Sequence, residues 1–120
     1  MKRSLSKAYG DYQKKMKNLN QKDKERLELV EKMALELMYK HNVSDYKFKF
    51  GYGWTYKGKC TSKTIIIQYN FALRNNLSEI KNTILHEIAH AIVGVDEWHR
   101  FKWQLKAKEL GVTYKRNYRK

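Results

Sequence analysis

His86, Glu87 and His90 stand as His-Glu-Ile-Ala-His within the stretch Thr83-Ile-Leu-His-Glu-Ile-Ala-His-Ala-Ile-Val-Gly94. Side chains four apart on a helix project from one face a single turn apart, so both imidazoles can reach one Zn²⁺. A carboxylate at Glu87 is placed to take a proton from water activated by the ion and to hand it to a leaving amine. The chemistry this spacing describes is zinc-dependent hydrolysis of a peptide bond, with Glu87 as the catalytic base and His86 and His90 as metal ligands. Such a pattern can also arise by chance on an amphipathic helix. Here, however, Leu77, Ile80, Ile84, Leu85, Ile88, Ala89, Ile92 and Val93 make most of the helix apolar. The two rings and the carboxylate therefore lie in or beside a core, where unpaired polar groups are costly, and a bound metal removes that objection.

A catalytic zinc needs a third protein ligand and an open position for water. Gly94 suits a left-handed helix end, which lets the chain turn back over the metal face and brings Asp96, Glu97 and His99 within reach. Metzincin spacing would require Gly at 93 and His at 96, where this chain has Val93 and Asp96. A more distant glutamate is offered only by Glu109, in what reads as an exposed helix. His99 is the preferred third ligand, with Asp96 or Glu97 as carboxylates that could replace it or add to it. A carboxylate that added to it would close the water position and make the zinc structural.

His86-Glu-Ile-Ala-His90-Ala, then His99-Arg-Phe-Lys-Trp103, then Ala107-Lys-Glu-Leu-Gly111 resemble the SprT-like (Spartan-type) zinc metallopeptidase family. There, the HExxH helix is followed by a third zinc histidine and a helix ending in Leu-Gly. The resemblance covers roughly residues 25 to 114, including Gly58-Lys-Cys60 and Lys63-Thr-Ile-Ile-Ile-Gln-Tyr-Asn70 as the strand pair before the metal helix. Arg100 departs from the family's usual glycine after the third histidine, and the His90 to His99 loop is short. The resemblance implies zinc ligation by His86, His90 and His99 and action on DNA-associated or DNA-cross-linked proteins.

The elements that must position these residues read as an α+β, zincin-like single domain. Asn20 to His41 has Leu27, Val30, Met33, Ala34, Leu37 and Met38 on one side and charges on the other, predicting a long N-terminal helix. His41 at its end has a structural role. Tyr46 to Phe50 alternates, a second aromatic strand runs through Trp54 and Tyr56, and Thr64 to Tyr69 follows, predicting a small, mostly antiparallel three-stranded sheet. Phe48, Phe50 and Ile66 are expected in the core. Asn70 to Arg74 suggests a short helical turn, and Asn76 with Glu79 approximates a capping box for the metal helix. A last helix starts at Asp96 or Glu97, turns Phe101, Leu105 and Trp98 inward and stops at Gly111, after which Val112 to Tyr114 adds a short strand. Tyr69, Tyr114 and Arg100 are candidates to stabilise an oxyanion.

In 120 residues there is room for one small domain. The division expected is a basic segment 1–19, a metallopeptidase domain 20–114 and a basic tail 115–120. Leu5, Tyr9, Tyr12, Met16 and Leu19 give the first segment an amphipathic, helical spacing. A lone Cys60 excludes an intramolecular disulfide and a Cys-rich zinc ribbon. Neither a membrane span nor a signal-peptide apolar region is evident, so a cytoplasmic, monomeric protein is expected. Of the +14 net charge, nine units fall in residues 1–19 and 112–120, which favours DNA as a partner beside a protein or peptide substrate. The alternative is a nucleic-acid-binding protein with a structural zinc and little or no peptidase activity.

Overall fold

The structure is a computed structural model that describes residues 19–113. Helix α1 spans Gln21–Lys40. Asn20 caps it, its side-chain oxygen accepting from the Asp23 backbone N–H at 2.8 Å. Leu27, Val30, Ala34 and Met38, spaced by three and four, form its buried stripe. Leu27, Val30 and Met38 each contribute roughly 1.5–3 kcal/mol by leaving water. The helix ends at His41, whose N–H returns to the Leu37 carbonyl at 3.0 Å, and Asn42 breaks it with φ of 64°.

Strands β1 (Lys47–Gly51), β2 (Gly58–Cys60) and β3 (Thr64–Gln68) follow, with β3 between the other two. The run Ile65, Ile66, Ile67 is buried throughout, which suits the central strand. β2 and β3 form an antiparallel hairpin in which the Thr61 hydroxyl accepts from the Thr64 N–H at 3.0 Å. β1 pairs with β3 in parallel, Lys47 opposite Thr64 through Gly51 opposite Gln68. The α+β class stands, but the sheet is mixed rather than mostly antiparallel. The loop after Gly51 carries the chain past the site β3 will fill and lays β2 on the far edge, so β3 returns alongside β1 in the same direction.

That loop also holds what reads in the sequence as an aromatic strand. Trp54 and Tyr56 lie outside any strand, and the second strand is Gly58–Cys60. Trp54 is 74% exposed. Phe50 and Ile66 are buried as expected, while Phe48 is half-buried.

Helix α2 (Tyr69–Arg74) leads to α3 (Leu77–Val93). The Asn76 side chain accepts from the Glu79 N–H at 2.9 Å, which is one half of the anticipated capping box. Ile80, Ile84, Leu85, Ile88 and Ala89 of α3 are buried against α1, the sheet and the last helix, joining layers on both sides. Leu77 and Ile92 sit at the solvent margin instead.

The last helix, α4, spans Phe101–Leu110. It begins later than expected because Val95–Glu97 forms a separate 3-10 turn. The later start changes which residues face the core. Trp103 and Ala107 are fully buried, whereas Phe101 (71% exposed), Leu105 and Trp98 point to solvent. Gly111, at φ 85° and ψ 20°, closes the helix as anticipated. The Val112 N–H returns to Ala107 at 2.8 Å and the Gly111 N–H to Lys108 at 3.1 Å. Residues 112 and 113 form no strand; Asn82 clamps Thr113 instead, donating to its carbonyl at 2.9 Å and accepting from its N–H at 2.7 Å. The anticipated helix in residues 1–19, except for Leu19 itself, and Tyr114 with the basic tail lie outside the described residues. Among the described residues, no helix is long and apolar enough to cross a membrane.

Candidate metal centre

α3 presents His86 and His90 one turn apart, as their spacing requires, with ring centroids 5.1 Å from each other. The chain then leaves α3 at Gly94, whose φ of 100° is positive but whose ψ of 136° lies outside the left-handed helical region. This opens the path outward before the 3-10 turn brings it back. Trp98 follows at φ 56° and ψ −138°, a conformation that strains a bulky residue by about 1–3 kcal/mol. That strain sits directly before His99 and aims its ring at the other two. The His99 Nε2 lies 3.1 Å from both the His86 Nε2 and the His90 Nε2.

Three ring nitrogens thus converge, and all three side chains could hold one metal ion. Ligands about 2.0–2.1 Å from a tetrahedral ion stand roughly 3.3 Å from one another, close to the spacing here. Electrostatics favour the same conclusion. Burial, then the neighbouring His90 and His99 rings, pull the His86 pKa down to about 3. Burial, then His99, pull His90 down to about 4, and burial lowers His99. In the tautomer protonated at Nδ1, the neutral imidazoles turn lone pairs toward one point, an arrangement that a cation satisfies.

Trp103 underlies the group. Its ring stacks on His90 at 5.3 Å and meets His86 and His99 at 4.7 and 4.6 Å, and its Nε1–H donates to the His86 carbonyl at 3.3 Å. The sequence contains it in the segment after His99 but offers no sign that it buttresses all three histidines. The Gln104 side chain donates to the His99 carbonyl at 2.8 Å, fixing the backbone from the α4 side.

Glu87 is 6% exposed, with Oε2 4.0 Å from the His86 Nε2. Burial pushes its carboxyl up to about 8, so a nearby cation is what would hold it ionised at neutral pH. Strand β2 presses on it. A Cβ at Gly58 would stand 2.8 Å from the Thr83 Cγ2 and 3.1 Å from the Glu87 Oε2, so only glycine fits there without displacement. Burial, then Glu87, push the adjacent Cys60 thiol up to about 12, leaving it inert.

A cleft of about 330 Å³ opens at this point, bounded by Tyr56, Lys57 and Gly58 on one side and His86, Glu87 and His99 on the other. Asp96 and Glu97 are not in the histidine cluster; the Glu97 carboxylate accepts from the Lys102 N–H at 3.1 Å, capping α4. Tyr69 packs edge-on to Tyr52 at 5.5 Å, and neither it nor exposed Arg100 lines the cleft.

A glutamate and two histidines on a core helix, a third histidine returned from the following turn and a sheet edge beside them define a metallopeptidase-like α+β domain. The family model for the SprT-like family matches residues 12–119, and the chain belongs to that family. No curated protein and no solved structure matches it.

Proposed function

We propose that this chain is a zinc-dependent metallopeptidase that hydrolyses peptide bonds in proteins associated with or cross-linked to DNA. The observation that carries the reading is the convergence of three neutral imidazoles beside a buried carboxylate at the wall of a cleft. His86, His90 and His99 would hold Zn²⁺ through their Nε2 atoms. Bound there, Zn²⁺ supplies Lewis-acid polarisation of a substrate carbonyl and lowers the pKa of water in the remaining position.

Glu87 accepts the proton from the attacking water and returns it to the leaving amine. Trp103 and Gln104 hold the histidines in place while this happens. Among the described residues β2 is the last strand on its side of the sheet, and its Gly58 faces Glu87 with no room for a side chain between them. That edge can pair with an extended substrate and lay a peptide bond across the cleft.

A nucleic-acid-binding protein with a structural zinc would need a fourth protein ligand. Glu97 is engaged at the start of α4, and among the described residues three side chains make up the cluster, which supports the open, catalytic form. The DNA part of the proposal is supported by the +14 net charge. The test is incubation of the zinc-loaded chain with a DNA-binding protein, with and without DNA. Cleavage that rises with DNA at low salt and stops on chelation supports the proposal. No cleavage at one zinc per chain points to the structural-zinc alternative.

A further inference from the structure

Among the described residues the net charge is gathered in one layer. Residues 46–78, which form the sheet, its connections and α2, contain Lys47, Lys49, Lys57, Lys59, Lys63 and Arg74 and no Asp or Glu. Residues 19–113 as a whole carry sixteen Lys and Arg against eleven Asp and Glu, so this layer holds more than the entire net charge. α1, by contrast, balances five against five.

Strand alternation aims the lysines. Phe48 and Phe50 pack with Ile65 and Ile67 on the core side, so Lys47 and Lys49 stand on the opposite face. Lys49 and Lys59 both pair with Ile66, one from each neighbouring strand, placing two cations in one row about 10 Å apart. Both are exposed, as are Lys47 and Lys63. The Lys59 Nζ lies 5.6 Å over the Tyr56 ring, and that ring also borders the metal cleft. The loop from β1 to β2 projects Trp54, 74% exposed, from the same acid-free layer.

We propose that the outer face of the sheet binds single-stranded nucleic acid, with Lys47, Lys49 and Lys59 contacting phosphates and Trp54 stacking on a base. Cations along a strand row follow a phosphate backbone, and an exposed indole offers a sequence-tolerant platform to an unpaired base. β2 ties this face to the cleft, since Gly58 faces Glu87 on one side while Lys59 stands on the other. Nucleic acid held there keeps its attached protein within reach of the cleft. The inference rests on the nucleic-acid part of the proposed function and does not depend on hydrolysis.

The experiment measures oligothymidylate binding to the full chain at several salt concentrations, for wild type, K47E/K49E/K59E and Trp54→Ala. A neutral K47Q/K49Q/K59Q version and zinc content guard against misfolding, and hydrolysis of a short uncharged peptide is followed separately. The triple variants should bind at least tenfold more weakly, with a salt slope smaller by about 2, while zinc content stays unchanged, and K47E/K49E, which leaves β2 intact, should keep peptide hydrolysis unchanged. Trp54→Ala should weaken binding about tenfold with the slope unaltered. Wild-type binding with unchanged affinity in the properly folded triple variants overturns this inference alone. No binding by wild type overturns the nucleic-acid part of the proposed function as well. Equal competition by poly-glutamate would assign the face to acidic polypeptides, and equal binding of duplex with no effect of Trp54→Ala would overturn the single-strand assignment.

Discussion

Glu87 and the histidines are poised against each other through burial. In the metal-free chain burial pushes the Glu87 carboxyl from its ordinary 4.5 up to about 8, so its stabilising contribution is complete below pH 4.5 and is lost as pH rises through that range. His86 and His90, held at about 3 and 4, act in the opposite sense: their contribution is present above pH 6.5 and is lost as pH falls through 4. Glu87→Gln cannot ionise. Without metal it should therefore become more stable than wild type as pH rises from 5 to 8, by on the order of 2–4 kcal/mol, in urea titrations. Zinc should flatten this difference, because a cation beside the carboxylate favours its charged form. A difference that ignores both pH and zinc would place Glu87 away from the metal.

The metal helix and its motif are legible in the sequence because one helix fixes the His86, Glu87 and His90 geometry locally. The caps at Asn20 and Asn76 are local as well. His99 was reachable by spacing, since only a few residues separate it from Gly94. What the sequence leaves hidden is set by distant partners. β1 pairs in parallel with β3 because of where β2 is laid, and Trp103 faces inward because the histidines and the core of α3 lie beneath it. Local periodicity in α4 suggested Phe101 and Leu105 instead. Two outcomes test these placements. Trp103→Ala should cost about 3–5 kcal/mol and weaken zinc binding, measured by denaturation and competition with a chelator. Gly58→Ala should shift β2 from Glu87 and cost about 1–3 kcal/mol, with hydrolysis falling further than zinc content. Equal zinc binding and hydrolysis in Gly58→Ala would mean that β2 does not constrain the carboxylate.

At the largest scale, the described residues form a small domain in which α3 and α4 meet at the histidine cluster, so metal binding and folding should be coupled. Chelation should lower the unfolding midpoint by several degrees, and zinc at 100 times its dissociation constant should restore about 2.7 kcal/mol. A midpoint indifferent to zinc would contradict the coupling. The central claim is that this assembled site hydrolyses peptide bonds with Glu87 as the base. It is tested most directly by comparing zinc-loaded wild type with zinc-loaded Glu87→Gln, matched for metal content, on an unfolded protein substrate while new N-termini are counted. The account predicts that both chains bind one zinc and that hydrolysis by the variant falls at least 100-fold. Equal rates in the two chains would contradict it.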